Sequence, residues 1–417
     1  MNTLLKAKTL TLNNNVFNIY GFNILNSNTI NKQNFQPDLF KILNKYKNEI
    51  DNIDKDVWNK YKSLVNEYEM IFNNKNTKYN VSTYVPISRA YFKLWEMINN
   101  FDIIDNTKPL NLLCIAEGPG GFVEAIYNYR KKHNSSNNKA TCMTLNSDDK
   151  NIPNWAKANY FLKHNPSINL VYGVDNTGDI YNPNNIKFLI NKFKRNKANL
   201  ITADGGFDFS DDYKNQEQNS YQLIISQIVC ALGCLDKGGH FVIKIFEIFT
   251  HLTVKIIYFL TQFFKNVHIN KPLSSRNLNS EKYLICKDFT GIDDNMLGSL
   301  LILLKKWGEL KSQNKYINDI FIFNVPREFE NMIKNYNIYY VKNNVYNILK
   351  TLTYIKLNLP DSEIDKIKQE LFILASLWCY KNDIGINYKL SLLNHEYMYY
   401  HTYPQKSNST TLNQYLI

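Results

Sequence analysis

Leu112-Leu-Cys-Ile-Ala-Glu-Gly-Pro-Gly-Gly-Phe122 decides how the rest of the chain is read. Four apolar residues run into a turn holding three glycines, and an amphipathic stretch from Gly121 to Lys132 follows. Such a stretch predicts a buried strand, a tight turn and a helix. Outward from it the alternation continues: Thr141 to Leu145 is a second apolar run. Then come a helix over Asn184 to Lys194, a strand over Asn199 to Ala203, a helix over Ser220 to Leu235 and a strand over His240 to Ile245. Gly238-Gly239 punctuates the last helix-to-strand turn. Strands alternating with helices build a parallel sheet, so the fold class is α/β. An apolar helix over Leu252 to Phe264 comes next, and the short strands Val267 to Ile269 and Lys282 to Cys286 are expected to pair antiparallel at the sheet edge.

The flanks read differently. Residues 1–80 are rich in Asn and Lys, with helical spacing over Phe40 to Tyr46 and Val57 to Tyr68, and are expected to be a helical extension. Residues 81–290 form the core. Residues 291–385 read as a mainly helical C-terminal part, and 386–417 as a tail with a tyrosine-rich stretch from Tyr388 to Tyr403. There is no internal repeat.

Composition narrows the function classes. The 417 residues carry a net charge of +12, with 44% hydrophobic and 21% charged residues, which is a globular rather than a disordered balance. Twenty-nine Tyr and 24 Phe beside that charge suit a polyanion, because lysines neutralise phosphates and aromatic faces stack on bases. Biased codon usage gives the same composition, so charge alone decides nothing. Cys114, Cys142, Cys230, Cys234, Cys286 and Cys379 lack the close spacing of a zinc site and read as buried thiols. His395-Glu396 has its next histidine at His401, too far for paired metal ligands. No export signal opens the sequence, and Lys244, Glu247, His251 and Lys255 interrupt the most apolar stretch, which excludes a membrane span there.

Glycines let a backbone approach a ligand closely, and the N-terminus of a helix offers unpaired N–H groups to a carboxylate or another polar group. A nucleotide-like ligand and a plain tight turn both remain open. Gly-Pro-Gly-Gly lacks the Gly-x-Gly-x-x-Gly order of dinucleotide sites and the Gly-Lys-Ser/Thr ending of phosphate loops. NAD and ATP are thereby disfavoured, and S-adenosylmethionine is the leading candidate.

Four polar residues stand in or beside apolar elements. Lys93 interrupts a helical stretch, Asp204 ends the strand before Gly205-Gly-Phe207, Lys244 lies within Phe241 to Phe246, and Glu281 begins the last strand. In open α/β sheets ligands bind at the carboxyl ends of strands, where Asp204 and Lys244 emerge. Singly, Lys93, Asp204 and Glu281 read as a solvated helix position, a turn aspartate and an edge charge. Lys244 differs, because a lysine among Val, Ile and Phe calls for a lowered pKa or a carboxylate partner, and either suits a general base.

In that chain order the four residues resemble the Lys-Asp-Lys-Glu tetrad of the FtsJ-like 2′-O-methyltransferases, and most of all the eukaryotic and viral cap-1 methyltransferases. Ala203 to Phe207, Gly238 to Phe246 with Phe249-Thr250, Lys271 to Arg276 and Ser280 to Tyr283 carry the resemblance, which extends more weakly through Gly291 to Asp294 and on to Leu377-Trp378. It implies a Rossmann-like class I S-adenosylmethionine-dependent methyltransferase sheet with helical N- and C-terminal extensions. It also implies methyl transfer to the ribose 2′-OH of the first transcribed nucleotide of capped mRNA. Lys93, Asp204, Lys244 and Glu281 would be the reacting set. Glu117, Gly118, Pro119, Gly120, Gly121, Phe122, Asp179 and Asp204 would hold S-adenosylmethionine, Asp179 facing the adenine. The family's Ala-Pro-Gly-Gly reads Glu117-Gly-Pro-Gly-Gly here, which puts the loop contacts but not the turn in question. A ribosomal or transfer-RNA 2′-O-methyltransferase and an inactive RNA-binding subunit are the competing readings. Implied partners are the capped mRNA 5′ end, other capping enzymes or RNA polymerase. The implied place is the cytoplasm, a viral factory or virion for a viral protein, or the nucleus for a cellular one.

Overall fold

The structure, a computed structural model, describes residues 8–13, 22–30, 32–73, 80–149, 152–206 and 212–387. The Tyr388 to Tyr403 stretch and Phe207 lie outside the described residues. The chain begins with β1 (Lys8–Asn13), β2 (Phe22–Ser27), α1 (Pro37–Asn48) and α2 (Lys55–Leu64). Next come α3 (Ala90–Phe101), β3 (Leu110–Ile115), α4 (Gly121–Lys132), β4 (Asn138–Met143), α5 (Asn159–His164) and β5 (Ile168–Val171). α6 (Pro183–Lys192), β6 (Ala198–Ala203), α7 (Gln216–Asn219), α8 (Tyr221–Cys234) and β7 (Leu235–Ile245) follow. α9 (His251–Leu260), β8 (Phe264–Lys271) and β9 (Lys282–Phe289) complete the core, and α10 (Asp294–Ser312), β10 (Tyr316–Phe321), α11 (Arg327–Leu357) and α12 (Asp361–Lys381) close the chain.

Eight strands form one sheet in the order β1-β8-β9-β7-β6-β3-β4-β5. From β7 through β5 the pairings are parallel, whereas β9 runs antiparallel to both β7 and β8. The chain winds from β3 outward to β5, then returns to β6 on the other side of β3. A ligand crevice opens where the winding reverses, at the carboxyl ends of β3 and β6.

Side chains alternate between the two faces of the sheet. Ile243, Ile245 and Leu284 join the core under α8, α9, α10 and α11, while Val242, Tyr283 and Ile285 join the core under α3, α4 and α12. Every residue of α8 is buried, so that helix shows no polar face. By the same period, Lys244 projects to the α3 side of the sheet and Lys282 to the α11 side.

Four expectations need correction. Residues 1–80 are not purely helical: Thr9-Leu-Thr-Leu12 alternates with the period of a strand, Leu12 is fully buried, and β1 pairs antiparallel with β8. β8 and β9 do pair antiparallel, but β1 takes the edge beyond them. Within the helical C-terminal part, β10 pairs with β2, so the two flanks share a second small sheet. Gly238-Gly239 lies inside β7 at an irregularity opposite β6, where a Cβ on Gly239 would stand 2.8 Å from Asn199 O.

All six cysteines are buried and free of disulfides. Among the described residues no helix is long and apolar enough to cross a membrane, and no cluster of three His, Cys, Asp or Glu could hold a metal ion.

Candidate active site

Past β3 the backbone reverses sharply: Ala116 has φ 53°, Gly118-Pro119 is a cis peptide, and Gly120 has φ 107°. Gly118 is needed for close approach, because a Cβ there would lie 2.5 Å from Pro153 O. Gly178, at φ 66°, likewise leaves room for the Thr144 carbonyl, which a Cβ would overlap.

Beside this turn lies a cavity of about 820 Å³. Met143, Leu145, Ile152, Pro153, Ile180 and Tyr181 give it an apolar part, and Asp204, Lys244, Gln216, Ser280 and Glu281 give it a polar one. An adenosyl group joined to a charged amino-acid tail needs such a division: a greasy slot for the base beside polar groups. S-adenosylmethionine fits the cavity. Ala116, Gly118, Asp179 and Asp204 are among the residues that line it.

Three of the four singled-out residues, Asp204, Lys244 and Glu281, line the polar part, and Lys93 stands behind it, paired with Glu281. Lys244 Nζ lies 3.2 Å from Asp204 Oδ1 and donates to the Asp204 carbonyl at 2.8 Å. Lys93, from α3, lies 2.7 Å from Glu281 Oε1. Burial pushes the Glu281 carboxyl up, but the ammonium groups of Lys93 and Lys244 outweigh it and hold it at about 2. Two lysines and two carboxylates from four separate elements thus form one compact set of charges at the cavity.

The turn residues divide. Gly118 lines the cavity, whereas Glu117 is buried and its Oε1 accepts from Phe122 N at 2.8 Å and Val123 N at 2.9 Å, at the N-terminus of α4. Gly120 packs beneath the Trp155 ring, Gly121 packs against Ser88, and Phe122 is buried with Tyr283. Pro119 supplies the cis peptide. Sequence reasoning missed the supports. Tyr283 OH donates to Asp204 Oδ1 at 2.9 Å, and Ser275 Oγ to Glu281 Oε1 at 2.9 Å. Glu96, one turn beyond Lys93, accepts from the Leu273 and Ser274 amides and from Trp378 Nε1, pinning the loop that carries Glu281. Alternation along the strand marks Tyr283, two residues beyond Glu281, as facing the same way as Glu281, and nothing local marks the others.

Burial drives the Glu117 carboxyl up to about 8, with Asp204 adding to the rise and the two amides opposing it. In the unfolded chain the group titrates near 4.3. The folded state therefore holds a proton that the unfolded state gives up, and stability is lost as pH rises from about 4.3 to about 8. Glu117→Gln keeps an oxygen for both amides and should abolish that loss, raising the thermal midpoint at pH 8 but not at pH 5. Parallel midpoint curves for the two proteins across that range would show that Glu117 does not titrate there.

An FtsJ-like methyltransferase family model matches residues 86–289. A Mus musculus cap-specific mRNA (nucleoside-2′-O-)-methyltransferase 1 is 33% identical over 280 residues, covering 61% of this chain and 32% of that one. The protein of the same name from Leishmania braziliensis is 32% identical over 216 residues, covering 52% of each. A Plasmodium falciparum structure described as a ribosomal RNA methyltransferase has 22% identity and a TM-score of 0.36, covering 49% of this chain and 99% of that one. The chain thus spans about a third of the mouse relative and about half of the Leishmania one. With the strand order, the glycine turn and the four converging charges, the match identifies residues 86–289 as an FtsJ-like methyltransferase domain.

Proposed function

We propose that this chain methylates the ribose 2′-OH of the first transcribed nucleotide of capped mRNA, converting cap-0 to cap-1. The observation that carries the reading is the pairing of Lys244 with Asp204 in the polar part of the cavity, and of the cavity-lining Glu281 with Lys93 behind it. The names of the mouse and Leishmania relatives support the choice of the cap-proximal ribose.

S-adenosylmethionine supplies an electrophilic methyl group when bound. Lys244 Nζ is the group placed to steer or accept the proton of the 2′-hydroxyl, which is worth about 10²- to 10⁴-fold in rate for a positioned base. Asp204 holds that amine from one side, with Tyr283 fixing the carboxylate. Glu281 pairs with Lys93 and is also acted on by Lys244, so its negative charge offsets both ammonium groups. Asp179 and the apolar wall of the cavity would hold the adenosine. Holding both reactants in line can contribute roughly 7 kcal/mol or more to lowering the barrier. The reading makes the capped 5′ end the substrate, and other capping enzymes or RNA polymerase the proteins to look for beside it.

Transfer of labelled methyl groups to RNA with an N7-methylated cap, an unmethylated cap or no cap tests this. Cap-dependent incorporation is expected. Equal labelling of uncapped RNA would move the substrate to ribosomal or transfer RNA, and RNA binding without labelling would make the chain an inactive subunit.

A further inference from the structure

We infer that Lys282 is a positioning residue for Lys244 and Glu281, and that the segments flanking the matched domain reach the active site through it. The inference rests on the methyl-transfer reading above, because it concerns the geometry of the same charges. In the β7–β9 register Lys282 opposes Ile245 while Tyr283 opposes Lys244, so Lys282 lies on the reverse face of the sheet from the cavity set. Its side chain is fully buried, and Nζ donates to Phe246 O at 3.0 Å and to Ser280 O at 2.9 Å. One carbonyl follows Lys244 by two residues, and the other precedes Glu281 by one. A single ammonium thus ties together the two backbone segments that present half of the charge set.

Part of what holds the ammonium in place comes from outside residues 86–289: Lys47 and Tyr340. Lys282 Nζ lies 3.6 Å from Glu247 Oε2 and 3.6 Å from the centre of the Tyr340 ring. Glu247 is also buried, and Lys47 of α1 lies 2.8 Å from its Oε1. Tyr340 of α11 donates toward the same oxygen at 3.5 Å and toward Asn279 O at 3.4 Å. The other charges acting on this cluster are Glu217 of α7 and Lys271 of β8, whose Nζ donates to Asn279 and to Glu281 O. Buried ion pairs add little net stability compared with apolar packing, so a fixed geometry rather than stability is what this cluster supplies. α1 and α11 thereby set the spacing of Phe246 and Ser280, and through them the separation of Lys244 from Glu281.

The test uses the full chain and the RNA that the wild type labels best. Lys47→Met, Lys47→Arg and Lys282→Met are compared for kcat, for KM of the RNA, for S-adenosylhomocysteine affinity by calorimetry, and for thermal midpoint. Lys47 is partly exposed, so its variants are expected to fold, and they decide the matter if Lys282→Met does not. Lys47→Met should lose roughly tenfold or more in kcat, with S-adenosylhomocysteine affinity held within about twofold, and Lys47→Arg should restore most of the loss. A folded Lys282→Met should lose at least as much as Lys47→Met. Wild-type kcat in Lys47→Met, a loss that Lys47→Arg does not repair, or equal losses of kcat and S-adenosylhomocysteine binding would overturn the inference. A wild type silent on every RNA sinks the methyl-transfer reading and this one with it. An active wild type with unaffected variants sinks this one alone.

Discussion

Lys244→Ala should lower the rate of methyl transfer by about 10²- to 10⁴-fold and leave S-adenosylhomocysteine binding within a few-fold of wild type. That range corresponds to about 2.7–5.4 kcal/mol of barrier at roughly 1.36 kcal/mol per tenfold. The binding part of the expectation follows from the cavity: its apolar wall, the glycine turn and Asp179 lie on strands and loops that the substitution does not touch. The rate part follows from Nζ, the cavity-facing amine held by Asp204 at 3.2 Å and by the Asp204 carbonyl at 2.8 Å. Alanine takes the Lys244 ammonium away from Asp204 and leaves it the Tyr283 hydroxyl, so some loss of thermal stability comes with the loss of rate. Lys244→Arg separates proton transfer from charge. A guanidinium keeps the positive charge but does not give up its proton in a protein. If Lys244 accepts the hydroxyl proton, Arg should be nearly as inactive as Ala. If the charge alone matters, Arg should recover most of the rate. Full activity in Lys244→Ala would remove the residue from the mechanism altogether.

The parts of this molecule that could be read from sequence are those fixed by local pattern. The strand before the glycine turn, the alternation of strands and helices, and the misplaced lysine at 244 each announce themselves within a dozen residues, and the structure sets Lys244 beside Asp204 as an apolar-strand lysine requires. β1 announced itself too, through Thr9-Leu-Thr-Leu12, but its Asn-rich surroundings masked the period. Glu117 shows a different failure. Its place in the glycine turn suggests a ligand contact, yet the sharp reversal at Ala116 and Gly120 carries its carboxylate back onto amides five and six residues ahead. Glu96 and Tyr340 could not be found by any local rule, because their partners lie 178 and 93 residues away and only packing brings them there. Supports of a site are long-range by nature, whereas its reactive groups betray themselves by being polar where the pattern is apolar.

Glu281→Gln tests whether the second pair is as important as the first. The carboxyl is held at about 2, so it is ionised at every pH at which the enzyme would work. Glutamine keeps the shape and an oxygen for Ser275 Oγ but removes the charge that balances Lys93, which is only 14% exposed. An ammonium left at that depth without its counterion is drawn toward water, and that shift moves the charges around Lys244. A fall of roughly 10²-fold in kcat is expected, since displacement by about 1 Å at a reacting centre costs that much. Stability supplies an independent check with a definite sign. In wild type the ionised Glu281 stabilises the fold above its unfolded pKa of about 4.3, and that contribution disappears as pH falls toward about 2. Glu281→Gln should therefore be less stable than wild type at pH 7 and should close the gap at pH 2 to 3, as read from thermal midpoints. A variant that keeps wild-type kcat while losing stability at pH 7 would make Glu281 a structural counterion and leave the chemistry to Lys244 and Asp204.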